Sequence, residues 1–204
     1  MAQIDAPLLY TLDMIFFNQF IFDTPQLAQF ISRSCRRQRD EAHNEARVIF
    51  SDSRVTVSLP EPFTYRLELG ISCRQSDWQL SALAQVCSSS FPHAFISTVE
   101  RLYIMEDGSS PPRWQDDIEN NQWLELLHPF TAVKNLFLTQ KFTPRIAPAL
   151  QELVGERANE VLPALQSILL EGLHLSGVVP EEIGKFDTAR RLSSHPIDVI
   201  PWIG

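Results

Sequence analysis

The sequence predicts an α/β solenoid, with a parallel inner sheet and helices on its outer side, built as a single domain over residues 1–204. Three observations lead to this prediction. An apolar spacing recurs about every 33 residues. Helix-start signals fill the gaps between its copies. The chain also has only seven glycines and no Gly-rich turn of the kind that cradles phosphate in a doubly wound sheet. A repeat of this period is typical of units that bury their strands against their neighbours.

The repeated spacing is apolar-x-x-apolar-x-apolar. The last four copies begin 34, 32 and 32 residues apart, and a weaker copy begins 33 residues before them. Since side chains alternate between the two faces of a strand, the last two apolar positions of each copy are predicted to point into the solenoid. The copies are Leu9, Leu12 and Met14; the weaker Arg66, Leu69 and Ile71; Val99, Leu102 and Ile104; Val133, Leu136 and Leu138; Leu165, Ile168 and Leu170; and Ile197, Ile200 and Trp202.

Each copy predicts a short strand, and one segment between the copies departs from the period. The predicted strands lie near residues 11–16, 67–72, 101–105, 135–139, 167–171 and 198–202. Residues 45–60 predict an antiparallel hairpin insertion, with strands at 47–51 and 55–59 around a Ser-Asp-Ser turn. The strand that follows the hairpin is expected to rejoin the parallel array.

Helices are predicted between the strands from their start signals, which are N-cap hydroxyls, proline at the first helical position and acidic first turns. The last helix is expected to turn Ile183, Phe186 and Leu192 toward the core. The predicted starts are Thr24-Pro25, a capping box of Ser76 and Gln79, Asp116 or Asp117, Thr143-Pro144 with Gly155 as terminator, and Pro180.

Composition excludes several classes of protein. Hydrophobic residues make up 44% of the chain and charged residues 21%, as in soluble globular proteins. The net charge of −8 is poorly suited to nucleic-acid binding, which rests on neutralising phosphates. No apolar run is long enough to span a membrane, the first residues lack the basic region of a signal peptide, and the three cysteines form neither a disulfide framework nor a zinc ribbon. We therefore expect an intracellular protein, cytoplasmic or nuclear, with reduced thiols and with no nucleic-acid or membrane partner.

The residues that carry chemistry in other proteins form no convincing site here. Asp116, Asp117 and Glu119 resemble a Mg²⁺ cluster, but acidic residues in a first helical turn are also what the helix dipole favours. No two of the five histidines have the spacing of a helical zinc pair. Cys87 and His93 could serve as a nucleophile and its base, although a buried core thiol is the more typical role of such a cysteine. The sequence therefore predicts no enzyme, no cofactor and no metal site. A hydrolase or transferase with an unrecognised site remains the alternative.

Two tryptophans nine residues apart, Trp114 and Trp123, flank the acidic segment. Aromatic side chains in such a setting anchor protein partners in many interfaces. They also pack helices onto a core, and this is the interpretation that we prefer for both indoles. Pro201 and Trp202 are expected to cap the last repeat and close the open edge of the sheet.

Long runs of the chain resemble the carboxy-terminal region of basidiomycete F-box proteins with leucine-rich repeats. The most specific run is WQDDIENNQWLELLHPFTAVKNLFL at residues 114–138. The other matching runs cover residues 16–33, 72–92, 142–173 and 195–202. The resemblance implies an irregular leucine-rich-repeat fold and, by analogy with other F-box proteins, substrate recognition for a ubiquitin ligase.

The chain departs from this family in two respects. Residues 1–40 contain no match to the F-box pattern LPxEILxxIF, which docks the Skp1-type adaptor, so direct adaptor binding is in doubt. The asparagine that usually follows a leucine-rich-repeat strand is replaced by Asp107, Lys141 and Leu173. We therefore expect a truncated or diverged relative that keeps the recognition half and binds a protein partner of unknown identity. A gene product without function is the other alternative.

The predicted partner-binding surface lies on the concave face of the sheet. The residue between the two inward positions of each strand points to that face, which places Tyr103, Phe137 and Leu169 in a stripe, with Pro201 at its edge. If the stripe is exposed, Phe137→Ala should weaken partner binding and change stability much less; the alternative is that a loop or the carboxy-terminal tail covers it. The outward neighbours are Arg101, Met105, Asn135, Thr139, Ser167 and Glu171, of which Met105, Thr139 and Glu171 complete the predicted binding residues.

Overall fold

The protein is an α/β fold in which helices alternate with the strands of one sheet. The computed structural model describes residues 11–16, 27–29, 44–59, 67–91, 93–114, 119–173 and 179–203. The strands are β1 (Thr11–Phe16), β2 (Glu45–Phe50), β3 (Arg54–Leu59), β4 (Leu67–Cys73), β5 (Arg101–Glu106), β6 (Asn135–Leu138), β7 (Ser167–Glu171) and β8 (Asp198–Trp202). The helices are α1 (Trp78–Ser89), α2 (His93–Ile96), α3 (Asn120–Leu127), α4 (Thr143–Gln151) and α5 (Glu181–Leu192), with a 3-10 helix at Gly155–Asn159.

The eight strands of the described residues form one mixed sheet in the order β1-β4-β3-β2-β5-β6-β7-β8. β3 runs antiparallel to both of its neighbours, and the other adjacent pairs are parallel. The predicted strands are confirmed to within one residue at each end, and the predicted hairpin to within two. The strand after the hairpin, β4, pairs in parallel with β1 as expected.

Chain order and spatial order agree only in the second half of the sheet. From β5 to β8 each strand lies beside the one before it. The hairpin strand β2 lies next to β5, and β3 and β4 then return toward the edge, where β4 meets β1. The sequence did not predict this reversed order, because the apolar pattern marks which face of a strand is buried and not which strand is its neighbour.

The inner face of the sheet is apolar where the repeated spacing predicts it. Leu102, Leu136 and Ile168 lie opposite one another on β5, β6 and β7, and all three are fully buried. The next inward row, Ile104, Leu138 and Leu170, is buried as well. In the weaker copy, Leu69 and Ile71 are buried on β4. Leu9 of the first copy lies outside the described residues.

The predicted orientation of the last copy is wrong by one residue. Ile200 lies opposite Leu169, and Pro201 lies opposite Leu170. Val199 and Pro201 therefore face inward, whereas Ile200 and Trp202 stand on the open face of the sheet. Pro201 fits the inward position because its neighbours on the strand, and not Pro201 itself, have the backbone groups that face β7: the Asp198 amide donates to the Gln166 carbonyl, and alternate residues repeat this direction.

Two of the predicted helices have the expected starts but different details. α4 begins at Thr143 with Pro144 in its first turn, as predicted. α5 begins directly after Pro180, and Ile183 and Phe186 are buried, as predicted. The third predicted inward residue of α5 is wrong, because Leu192 ends the helix and is 84% exposed. For the helix predicted at Thr24-Pro25, the described part is residues 27–29, which are helical. Asp116 and Asp117 lie outside the described residues, and α3 begins after Glu119.

The inward position near the end of α5 is taken by Arg190, which is fully buried. Its guanidinium donates to the carbonyl oxygens of Ala158, Leu165 and His195, at 3.2, 2.8 and 3.2 Å, and to the Asn159 side chain at 2.6 Å. Burial lowers the pKa of this group. Apolar periodicity cannot predict this arrangement, since a buried charge is acceptable only where the rest of the fold supplies its acceptors.

The predicted capping box is also wrong. α1 begins at Trp78, and neither Ser76 nor Gln79 caps it. The Ser76 hydroxyl donates to the Asp52 carbonyl, and the Gln79 amide donates to the Ser51 carbonyl at 2.9 Å. These two side chains therefore tie the start of α1 to the turn of the hairpin. Because that turn is distant in the sequence, the local spacing suggested a local contact instead.

Both tryptophans of the acidic segment are buried, which confirms the packing interpretation. Trp114 and Trp123 form a four-ring cluster with Phe50 and Phe142, in which ring centroids lie 5.0 to 6.0 Å apart. Five of the six ring pairs meet edge to face, the arrangement that aromatic quadrupoles favour. The cluster lies where β2 ends, since Phe50 is the last residue of that strand. It joins α3 and the start of α4 to the sheet.

Candidate functional site: the open face of the sheet

The face of the sheet opposite the apolar inner face carries a row of large side chains. Cross-strand register places Arg47, Tyr103, Phe137, Leu169 and Ile200 opposite one another on β2, β5, β6, β7 and β8. Tyr103, Phe137 and Leu169 thus form a stripe as the spacing predicts. Arg47 extends the row on one side and Ile200 on the other.

The rings of this row stack on each other. Tyr103 and Phe137 lie nearly parallel, with an interplanar angle of 11° and ring centroids 4.0 Å apart. The Arg47 guanidinium carbon lies 5.3 Å from the centroid of the Tyr103 ring, a distance at which cation–π attraction operates. Trp202 of β8 meets Phe137 and Tyr103 edge to face, with centroid distances of 5.5 and 6.0 Å. Four side chains from four strands therefore form one continuous aromatic and cationic surface, which we call the aromatic row.

Trp202 does not cap the end of the sheet as expected. It lies opposite Glu171 in register and reaches back over β7 to the rings of β5 and β6. The carboxy-terminal strand thereby covers part of the stripe, and Phe137 is left only 9% exposed. Tyr103, Leu169 and Trp202 are half-buried, and Ile200 is exposed. The accessible part of the row is therefore formed by Tyr103, Leu169, Ile200 and Trp202.

The remaining predicted binding residues lie in the adjacent row of the same face. Met105 is half-buried, and Thr139 follows β6 with its amide on the Ile104 carbonyl at 3.3 Å, which continues the ladder. Glu171 accepts a hydrogen bond from the Gln140 amide at 3.2 Å. The Thr139 hydroxyl is buried and has no hydrogen-bond partner. The structure thus brings all six predicted residues onto one face.

Charged residues border the aromatic row on the side of β2. Glu45 pairs with Arg47 at 2.7 Å and with Arg101 at 3.6 Å. Burial raises the pKa of the Tyr103 hydroxyl, and the nearby Glu45 carboxylate raises it further against the opposing effect of the two arginines. Tyr103 therefore stays neutral at physiological pH and keeps its hydroxyl proton as a hydrogen-bond donor. The predicted outward neighbours Asn135 and Ser167 continue the row of Arg101 across β6 and β7.

Sequence reasoning missed Arg47 and Trp202 as members of this surface. Arg47 lies in a predicted strand, but its position beside Tyr103 depends on β2 being the neighbour of β5. Trp202 was assigned to the wrong face by the shift in the last copy. An alternation test centred on Val199 and Pro201 would have found it, because both residues are apolar and two positions apart.

The pair that could have supplied a nucleophile does not have the required environment. Cys87 is buried, and burial raises the pKa of its thiol from 9.0 to about 12. His93 is exposed on α2. A thiol of this kind is not ionised near neutral pH, so it is a poor nucleophile. The core-thiol interpretation is confirmed for Cys73 and Cys87, whereas Cys35 lies outside the described residues.

Two general properties of the described residues bear on function. No three His, Cys, Asp or Glu side chains among them are grouped closely enough to hold a metal ion. Within the same residues, no helix has the length and apolar content that crossing a bilayer requires. The predicted carboxylates Asp116 and Asp117 belong to the part of the chain outside this description.

A cavity of about 870 Å³ lies away from the open face, at the end of β5 and in the loop that follows β6. Glu106, the last residue of β5, pairs there with Lys141 at 2.7 Å. Arg145 of α4 also lines the cavity, and its apolar walls include Trp123 and Phe142. In open α/β sheets, ligands commonly bind outside the carboxyl ends of the strands. The sequence did not predict this cavity.

No protein-family model, curated protein or solved structure matches this chain.

Proposed function

We propose that this protein is a non-enzymatic recognition module that binds another protein through the open face of its sheet. The aromatic row is the observation that carries this proposal. Tyr103, Leu169, Ile200 and Trp202 leave apolar and aromatic surface accessible on a face that would otherwise be polar. Exposed apolar surface of this kind marks binding sites in soluble proteins, and tyrosine and tryptophan are the side chains that most often dominate binding energy.

We further propose that the fold is an irregular leucine-rich-repeat solenoid, as the resemblance to the F-box family implies. The strands β5, β6, β7 and β8 begin 34, 32 and 31 residues apart and lie side by side in parallel. Each contributes inward apolar residues in register with its neighbours. In that family the corresponding face recognises the substrate of a ubiquitin ligase, and we assign the same role to the aromatic row.

The borders of the row suggest the chemistry of the partner. Arg47 and Arg101 share a single carboxylate, Glu45, so this end of the row has an excess of positive charge. An apolar or aromatic side chain of the partner would pack on Tyr103 and Leu169. An acidic residue of the partner next to it would pair with the two arginines. Such a combination supplies contact area and orientation together.

Affinity purification followed by mass spectrometry tests this function directly. Wild-type protein should retain a partner that the Tyr103→Ala and Leu169→Ala variants lose, because both truncations remove accessible surface from the row. Leu192→Ala is the matched control, since Leu192 is an exposed apolar residue on α5, away from the open face. Adaptor and cullin peptides in the wild-type sample would support the ubiquitin-ligase role. A partner retained equally by all four proteins would contradict recognition through this face.

The cavity favours a second candidate function. A hydrolase or transferase is expected to have a pocket in which ionisable groups converge. Glu106, Lys141 and Arg145 meet this description in part. Enzyme activity that is lost in Glu106→Gln and retained in Tyr103→Ala would favour an enzyme over the recognition module.

A further inference from the structure

The cavity contains an arginine whose charge is not compensated by the protein. Arg145 lies half-buried in the cavity wall, with its guanidinium carbon 5.1 Å from the centroid of the Trp114 ring. Its neighbour Lys141 is paired with Glu106, but among the described residues Arg145 has no carboxylate within ion-pair distance. Five N–H donors are therefore held at the cavity without an anionic acceptor.

The position of Arg145 in its helix makes this charge unfavourable. It lies in the first turn of α4, which contains no acidic residue. The amino-terminal end of a helix carries a partial positive charge, so a cation there is repelled and an anion is stabilised. Lys141 lies a few residues earlier in the chain and adds a second positive charge at the same wall. The cavity is thus locally basic in a chain whose net charge is −8.

The rest of the cavity wall is largely apolar. Its lining includes Pro111, Pro112, Pro144 and Pro148 as well as the edges of two rings of the aromatic cluster. Proline rings present rigid apolar surface that loses no side-chain entropy when it is covered. A volume of about 870 Å³ is in the range of sites for small molecules.

We infer that this cavity binds a small amphipathic anion, whose phosphate or carboxylate group is held by Arg145 and Lys141 and whose apolar body packs on the prolines. The planar guanidinium, held in place over Trp114, offers two parallel N–H donors to an oxyanion. The site is separate from the aromatic row and does not depend on the function proposed for it.

Anilinonaphthalene sulfonate is a suitable probe, because it combines an anionic group with an apolar body and its fluorescence rises on binding. The folded wild-type protein should bind it, with quenching of tryptophan fluorescence from the indoles beside the cavity. Arg145→Gln should weaken binding roughly tenfold, and Arg145→Lys should recover part of this loss because it restores the charge. Tyr103→Ala on the open face should leave the affinity unchanged.

Competition identifies the anionic group. Phenyl phosphate and benzoate share an aromatic body, and the one that displaces the probe at lower concentration shows whether phosphate or carboxylate is preferred. Benzyl alcohol, which has no charge, should displace it far less. The Arg145 variants should keep their melting temperature within about 4 °C of wild type, since an exposed edge of the cavity contributes little to the core.

The inference is overturned if Arg145→Gln, shown to be folded by its melting curve, binds the probe as tightly as wild type. It is also overturned if Tyr103→Ala abolishes probe binding while Arg145→Gln does not, because the probe would then occupy the aromatic row. Equal displacement by benzyl alcohol would show that the site selects apolar surface and not an anion.

Discussion

The guanidinium of Arg54 on β3 lies across the backbone of β4 at Gly70 and reaches Asp13 on β1. A methyl group at position 70 would overlap the guanidinium of Arg54. The absence of a side chain at Gly70 therefore lets one arginine connect three neighbouring strands on the open face. The same guanidinium lies 3.9 Å from Glu68 of β4.

Gly70→Ala should displace Arg54 and break its ion pair with Asp13, but at a small cost. The overlapping atoms belong to the end of a flexible side chain, and the pair is partly exposed to solvent. We expect the free energy of unfolding to fall by about 1 kcal/mol or less, as measured by chemical denaturation. In the background of Asp13→Asn the same substitution should cost less still. A loss several times larger would mean that the strands cannot adjust to a side chain at this position.

Arg190→Met should destabilise the protein strongly. The change keeps an unbranched side chain but leaves buried carbonyl groups of Ala158 and Leu165 without their donor. We expect a loss of about 3 kcal/mol in the free energy of unfolding. Arg191→Met is the matched control, because the neighbouring arginine is exposed and pairs only with Asp187 in the next turn. It should cost less than about 0.5 kcal/mol. Similar losses in the two variants would contradict the structural role of Arg190.

Phe137→Ala is now expected to affect stability as well as binding. The ring is covered by Tyr103 and Trp202, so its removal leaves a gap in the aromatic row. We expect a loss of about 2–3 kcal/mol, near or below the lower end of the range for a Phe enclosed on all sides. Thermal or chemical denaturation measures this loss, and Phe137→Leu should recover most of it. Unchanged stability in Phe137→Ala would mean that Trp202 does not cover the ring in solution.

Burial of two thiols should make stability fall at alkaline pH. The pKa of Cys73 is raised from 9.0 to about 11, and that of Cys87 to about 12. Above pH 9 the thiols ionise in the unfolded chain and not in the folded one, so the unfolded state binds fewer protons and the free energy of unfolding decreases as pH rises. The stabilising contribution is present in full below the unfolded pKa and is lost as pH rises through the folded values.

Denaturation curves at ~pH 8 and ~pH 10 measure this effect. The decrease in stability between the two conditions should be smaller in Cys87→Ala than in wild type, since tyrosines and lysines titrate equally in both proteins. In the folded wild-type protein, Cys73 and Cys87 should also resist alkylation until the chain unfolds. Rapid labelling of Cys87 in the folded state would contradict its burial.

The strands and their inner faces were predictable because they depend on a local pattern. Leu102 and Ile104 are two positions apart, and so are their counterparts in the neighbouring copies. Side chains two positions apart share a face of any strand, whatever the strand pairs with. The buried tryptophans and the proline-marked helix starts were predictable for a similar reason, since each depends on a residue's own preference.

The candidate site was predictable only in part. The alternation that places Leu102 and Ile104 inward also places Tyr103 outward, and the same holds for Phe137 and Leu169. The partners of these residues were not predictable. Arg47 reaches Tyr103 only because the hairpin folds back so that β2 lies beside β5.

The sequence by itself determined where the strands begin and end and which of their faces is buried, because hydrophobic burial acts on each segment through its own periodicity. The tertiary structure alone decided which strands are neighbours, where Trp202 lies, that Arg190 replaces Leu192 in the core, and that Arg145 and Lys141 meet Glu106 at one cavity. Those outcomes depend on contacts between segments far apart in the chain. A charged or aromatic side chain is placed by the acceptors and rings that surround it after folding, and no local pattern records them.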